Sequence, residues 1–170
     1  LDAHERTPID IVGLGEMGIG NTTAASAMIC AVTGISPETA TGRGTGVDDK
    51  GLEHKIKVIR RVLDFHNLTP DREPVDGLTL IRKVGGFEIA GIAGAVLAAA
   101  SKGCAVVLDG VISTAAGLAA WRISPDIKGF LIAGHKSVET AQAAALDYMG
   151  LEPLLDFNLR LGEGTGAALA

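Results

Sequence analysis

The chain has 170 residues, 47% of them apolar, with 15 Lys+Arg against 20 Asp+Glu and a formal net charge of −5. That length and apolar content support one domain with a sizeable core and exclude a disordered chain. The acidic balance argues against a protein that grips a phosphate backbone through bulk positive charge. The nearest approach to a membrane span, residues 89–100, is short of the roughly 20 residues needed and is rich in Ala and Gly. Cys30 and Cys104 sit inside apolar runs, which excludes a disulfide scaffold and fits a reducing, cytoplasmic setting. Residues 1–8 are polar and charged, unlike a signal peptide. The absent initiator Met and the helix-like Ala/Leu ending read as a piece of a longer protein. With 23 Gly and only 4% aromatics, the core must be built from Ala, Leu, Ile and Val at close backbone approach.

Residues 9–14 form a short β-branched run that breaks on glycine, which predicts a strand. Residues 22–32 predict a helix, stopped near Gly34 and Pro37. Residues 36–48 read as a loop. Asp48 and Asp49 then suit a helix start, followed by Leu52, Ile56, Ile59 and Leu63 as one apolar stripe on a basic helix. Residues 67–76, with Pro70 and Pro74, read as a polar surface linker. An Ala-rich buried helix is predicted over 87–101, then a strand over 105–108 ending at Asp109, and a helix over 113–122. A strand over 129–133 ends at Gly134-His135, and a helix over 137–149 is capped by Gly150. A looser extended segment, 154–161, ends at Gly162-Glu163-Gly164. Strands alternating with helices imply βαβ units. The predicted fold is α/β, a single Rossmann-like nucleotide-binding domain over 1–170: an open parallel sheet with helices on both faces.

In such sheets, ligands bind beyond the carboxyl ends of the strands. There the sequence places residues 15–21, Asp109-Gly110, 134–137 and 162–166, each mixing glycine with a polar or ionisable side chain. Loops of this kind let backbone N–H groups approach an anion. Residues 13–18 read formally as G-x-G-x-x-G, the signal of an NAD-binding Rossmann-type protein. The acidic strand end expected about 20 residues on is missing from residues 33–43, and Glu16 would place a carboxylate beside the pyrophosphate. The alternatives are anion binding or a glycine-rich turn with packing duties only. Lys55 offers a point charge to a phosphate held by Gly44-Thr45-Gly46, against the ordinary solvated lysine of a helix face. Asp109 could accept ribose hydroxyls, orient a neighbouring group or cap the next helix. Ser137 reads as an N-cap, and His135 as solvent-facing. His4, His54 and His66 show no metal-ligand spacing, and no metal site is expected. The residues flanking Glu163, Leu159, Leu161 and Ala167, predict apolar surroundings, which suit a carboxylate for general-base work near neutral pH; the alternative is a Glu stabilised at a helix N-terminus.

Five motifs in order carry a resemblance: residues 15–23 (Gly-Glu-Met-Gly-Ile-Gly-Asn-Thr-Thr), 42–46 (Gly-Arg-Gly-Thr-Gly) followed by Asp48, 84–89 (Val-Gly-Gly-Phe-Glu-Ile), Leu108-Asp109-Gly110, and 160–166 (Arg-Leu-Gly-Glu-Gly-Thr-Gly). The chain resembles the C-terminal half of the nicotinate-nucleotide–dimethylbenzimidazole phosphoribosyltransferase family. The resemblance implies transfer of phosphoribose from nicotinate mononucleotide to a benzimidazole, giving α-ribazole 5′-phosphate and nicotinate, with no cofactor. It implies Glu163 as catalytic base and Glu16 as a second functional carboxylate. Substrate contacts would come from Gly18, Gly20, Asn21, Gly44, Thr45, Gly46, Lys55, Asp109 and Ser137. It also implies a homodimer. A non-catalytic nucleotide-binding module is the other alternative.

Overall fold

A computed structural model describes residues 9–43, 46–69, 75–159 and 161–170. Residues 1–8, Gly44, Thr45, Arg160 and residues 70–74 of the predicted linker lie outside the described residues. Four strands, β1 (Ile11–Leu14), β2 (Ala105–Leu108), β3 (Leu131–Ser137) and β4 (Pro153–Leu159), form an all-parallel sheet in that order. The interior strand β2 is an Ala-Val-Val-Leu run whose last three side chains are buried on both faces, the pattern of a parallel interior strand.

The sequential order means that each crossover steps across the sheet in the same direction. Right-handed crossovers then carry the connecting helices to one face. Leu108 marks that face: it packs on Gly117 of α6 (Val111–Ile123), where a Cβ would lie only 2.7 Å from its Cδ1. Gly13 and Val107, in register with each other and out of phase with Leu108, point the other way, and Gly13 meets Ala167 of α8 (Thr165–Leu169). The expected α/β fold is therefore present, with the helices shared unequally between the faces. Among the described residues α8 alone covers the second face, and Ile11 remains 61% exposed there.

Helix α6 is the hub. Its residues 111–120 are all buried, and it packs against α1 (Thr22–Thr33), α4 (Gly77–Val84), α5 (Phe87–Ser101) and α7 (Thr140–Met149). Ala115, Ala116, Gly117, Ala119 and Ala120 make this crowding possible, because small side chains let helix backbones approach. Outside α1 lies α3 (Asp49–His66), which starts where the acidic pair predicts: Asp48 accepts the Gly51 N–H at 2.8 Å. Its stripe buries Ile59 and Leu63.

The structure corrects several local expectations and adds one helix. The loop 36–48 contains α2 (Pro37–Ala40), capped by Ser36, whose hydroxyl accepts the Thr39 N–H. Helix α4 follows the linker directly, its start fixed by Asp76, which accepts from the Thr79 N–H and hydroxyl. Strand β3 begins at Leu131, because Pro125–Phe130 forms a 3-10 turn, and it runs on through His135 to Ser137. His135 is thereby buried, at 2% exposure, rather than solvent-facing. Helix α7 starts at Thr140, since Ser137 belongs to the strand. No helix among the described residues is long and apolar enough to cross a membrane.

Gly77 seats α4 against α6: a Cβ there would overlap the Ala119 carbonyl oxygen. Gly77→Ala should lower stability by about 1–3 kcal/mol through overpacking. Urea unfolding of the complete protein measures this, and an unchanged midpoint would contradict the close seating.

Candidate functional site

The carboxyl edge of the sheet is organised around Asp109. It follows Leu108 at the end of the interior strand β2 and is 4% exposed. A carboxylate buried this deeply must be hydrogen-bonded or neutralised. Its Oδ1 accepts the N–H groups of Gly166 (2.7 Å) and Ala167 (3.2 Å), and its Oδ2 accepts that of Gly164 (3.0 Å). These donors belong to the segment that carries Glu163. Of the roles the sequence leaves open for Asp109, accepting from a neighbouring loop is the one present. Asp109 is not the cap of α6, whose N-cap is Gly110 with no side-chain cap bond.

The Glu163 segment has an unusual backbone. Gly162, Glu163 and Gly164 have φ of 75°, 59° and 82°, three left-handed residues in succession. For Glu163, which has a Cβ, that conformation costs on the order of 1 kcal/mol. The hydrogen bonds to Asp109 are charge-assisted, and each contributes roughly 1.5–3 kcal/mol, enough to offset the strain. Two close approaches clamp the turn. A Cβ on Gly15 would overlap the Gly164 backbone and lie 3.1 Å from the Glu163 carbonyl carbon. A Cβ on Gly166 would overlap the His135 ring. The Glu163 residue itself is exposed, where the sequence predicts apolar surroundings.

Beneath the turn lies a buried polar layer that sequence reasoning missed. Gln142 (1% exposed) donates from Nε2 to the carbonyls of Asp109 (3.0 Å) and His135 (3.1 Å), and its Oε1 accepts the Ser137 N–H at 2.6 Å. It thus ties the ends of β2 and β3 together. The available signal was a glutamine at position 142 in the stripe shared with Ala145, Leu146 and Met149. Ser113 Oγ accepts the Asp109 N–H at 3.0 Å. His135 Nδ1 lies 3.6 Å from Asp109 Oδ1, beyond hydrogen-bond length, and is buried with no hydrogen-bond partner among the described residues.

The β1–α1 turn supplies the second carboxylate. Glu16 Oε2 accepts from the Gly18 N–H and from Asn21 Nδ2, both at 2.6 Å. The Gly18 N–H expected to meet a phosphate is engaged by Glu16, and the Gly46 N–H by the Arg43 carbonyl at 3.1 Å. Gly20 is open, with a φ of 82° and no atom near its would-be Cβ. Asn21 is buried at the N-cap of α1. Gly44 and Thr45 lie outside the described residues.

Lys55 is half-buried rather than a solvated lysine of a helix face. Its Nζ donates to Thr22 Oγ1 (2.8 Å) and to the Gly42 carbonyl (3.3 Å). Burial pushes its pKa below the usual lysine value, and the negative charge of Glu139 opposes that shift. Glu139 sits over Gly42, where a Cβ would overlap its carboxylate. Ser137 does not cap α7; its hydroxyl accepts the Glu139 N–H at 3.1 Å and so directs the strand into that segment. The structure thus brings Glu16, Asp109, Glu163, Lys55 and Ser137 to one edge of the sheet. Among the described residues no group of three or more His, Cys, Asp or Glu side chains could hold a metal ion. No described strand follows α1 before β2, so the acidic strand end that a dinucleotide site needs is absent from its expected place.

A family model described as phosphoribosyltransferase matches residues 1–170. The chain belongs to that family. It is 51% identical over 162 residues to a nicotinate-nucleotide–dimethylbenzimidazole phosphoribosyltransferase of Chloroflexus aurantiacus, covering 95% of this chain and 45% of the relative. Its identity to the protein of the same name from Geobacter sp. (strain M21) is 52% over 169 residues, covering 99% and 47%. The crystal structure of CobT from Thermus thermophilus superposes with a TM-score of 0.88 at 42% identity, over 99% of this chain and 50% of that one. The chain therefore spans about half the length of these phosphoribosyltransferases.

Gln142→Leu would leave the Ser137 N–H and two carbonyls buried without their partner. A loss of about 2–4 kcal/mol in unfolding free energy is expected from such orphaned groups. A loss near zero, measured by urea unfolding of the complete protein, would contradict the tie between β2 and β3.

Proposed function

We propose that the complete protein transfers phosphoribose from nicotinate mononucleotide to 5,6-dimethylbenzimidazole, releasing nicotinate and forming α-ribazole 5′-phosphate for the lower ligand of cobalamin. The observation that carries this reading is the Glu163 turn held against Gly15 and Asp109, on the edge that also bears Glu16 and Lys55. The names of the similar proteins supply the substrates.

The reaction needs little beyond positioning, a base and charge complementarity. The C1′–N bond of the donor already ends on a pyridinium, so its electron pair leaves onto the nicotinate nitrogen, which becomes neutral. One azole nitrogen forms the new bond to C1′ from the opposite face, turning the β-linkage into α. Glu163 takes the proton from the other azole nitrogen. Exposure of Glu163 on the edge supports this role, because an incoming base can reach it. As positive charge develops on the ribose, the Glu16 carboxylate, pre-oriented by Gly18 and Asn21, stabilises it electrostatically. Lys55 serves the phosphate, and the resemblance assigns Gly20, Asn21, Gly44, Thr45 and Gly46 to the same substrate; Ser137 contributes from the end of β3. Two buried free cysteines, Cys30 and Cys104, are compatible with a reducing cytoplasm. The homodimer implied by the resemblance would give Phe65 and Phe87, 79% and 99% exposed, a surface to cover.

Mixing the complete protein with nicotinate mononucleotide and 5,6-dimethylbenzimidazole should release nicotinate and form the α-linked product. Glu163→Gln should lower kcat by roughly 10²–10⁴-fold, the usual contribution of a positioned base, with nucleotide affinity retained. Unchanged turnover would remove Glu163 from the chemistry. Lys55→Ala should weaken nicotinate mononucleotide binding by about 10–100-fold, the loss expected for one hydrogen bond to a charged group. Unaltered affinity in a binding titration would confine Lys55 to its bonds with Thr22 and Gly42.

A further inference from the structure

We propose that Asp109 is a positioning residue, which acts on turnover by fixing the left-handed backbone from which the Glu163 carboxylate projects. The inference rests on the phosphoribosyl-transfer reading and assigns Asp109 a task distinct from substrate binding.

The bonds within the left-handed run 162–164 close the turn without joining it to the sheet. Within the turn, the Thr165 N–H reaches the Gly162 carbonyl at 3.0 Å. Among the described residues, the hydrogen bonds that join this segment to the sheet end on the Asp109 carboxylate: Gly164, Gly166 and Ala167 all donate to it. A residue with a Cβ persists in a left-handed conformation when its surroundings over-determine it. Asp109 supplies that over-determination from a fixed base, because its own N–H is engaged by Ser113 and its own carbonyl by Gln142. The buried His135 ring fills the space under Gly166, with Nδ1 3.6 Å from Oδ1 and no hydrogen-bond partner among the described residues. The carboxylate is thus confined between His135 and the turn. Gly15, which has no room for a Cβ, clamps Gly164 from the β1 side.

A purely structural role and a positioning role give different kinetics. A structural residue lowers the amount of folded protein or perturbs every step. A positioning residue acts through Glu163, so its removal should cost little once Glu163 can no longer act as a base. The test uses the complete protein with Asp109→Asn, Glu163→Gln and the double variant. Asp109→Asn should lower kcat by about 10–100-fold, as expected when a reacting group is misplaced by about an ångström. KM for nicotinate mononucleotide should stay within about threefold. In the Glu163→Gln background the same change should lower the residual rate by less than about twofold, the non-additivity of groups that act as a unit. Amide hydrogen exchange should rise across residues 162–168 and stay unchanged in β2. Gly15→Ala, which leaves Asp109 intact and displaces the turn from the opposite side, should reproduce the kcat loss, and it carries the test if Asp109→Asn fails to fold. Equal losses in both backgrounds, or unaltered exchange over 162–168, would overturn the proposal. Full activity in Gly15→Ala would do the same. If the unmodified protein performs no transfer, the reaction assignment itself falls, and the kinetic role falls with it.

Discussion

A carboxylate at the end of the interior strand β2 sets the terms for everything around it. Asp109 emerges from an apolar strand into a nearly closed space, where an unsatisfied charge would cost several kcal/mol. Its satisfaction comes from main-chain N–H groups of a segment more than fifty residues later in the chain. That segment in turn can approach only because Gly15 and Gly166 lack side chains. The buried acid needs the turn, and the turn needs the acid to hold its left-handed residues. Removing either member leaves the other with a cost, so the two are fixed together.

The sheet topology explains why chemistry collects at this edge. Parallel strands all end on one side, and the sequential order sends one long excursion, α1 to α5, between β1 and β2. That excursion delivers Lys55 to the start of α1, where it meets Thr22 and Gly42. Gln142 fastens the ends of β2 and β3 from below. The loops are thereby held by side chains on rigid elements, which is how a site keeps its geometry.

Regular elements were legible where local signals agreed with tertiary context. The runs 87–101 and 105–108 were read to the residue, because an Ala-rich helix and a β-branched strand each have one plausible period. Asp48 and Gly150 fixed their helix ends through capping chemistry. Helix α4 was missed because Gly77 opens it, a poor helix former kept there by the close approach of Ala119. Strand β3 was read short because Gly134 and His135 look like a loop, whereas the glycine admits the Gly166 carbonyl and the histidine is covered by the same turn. At this edge the positions of the candidate residues are legible in the sequence and their partners are not. Glu16, Asp109, Ser137 and Glu163 stand on the predicted edge and Lys55 reaches it from α3, yet Gly18 and Gly46 use their N–H groups locally. Glu163 is more exposed than its apolar flanks suggest, because left-handed geometry, invisible in composition, sets the turn. The fate of Asp109 depended on contacts separated by more than fifty positions, which no local pattern encodes.

On the proposed reading, the Glu163 turn, as Asp109 holds it, presents a base to the acceptor heterocycle. A crystal structure of the complete protein with α-ribazole 5′-phosphate bound tests it most directly. A Glu163 carboxylate oxygen is expected within about 2.6–3.2 Å of the azole nitrogen that does not bear the ribose, with the three N–H bonds to Asp109 intact. A product seated at this edge with Glu163 turned away from the heterocycle, or a product bound elsewhere on the protein, would contradict it.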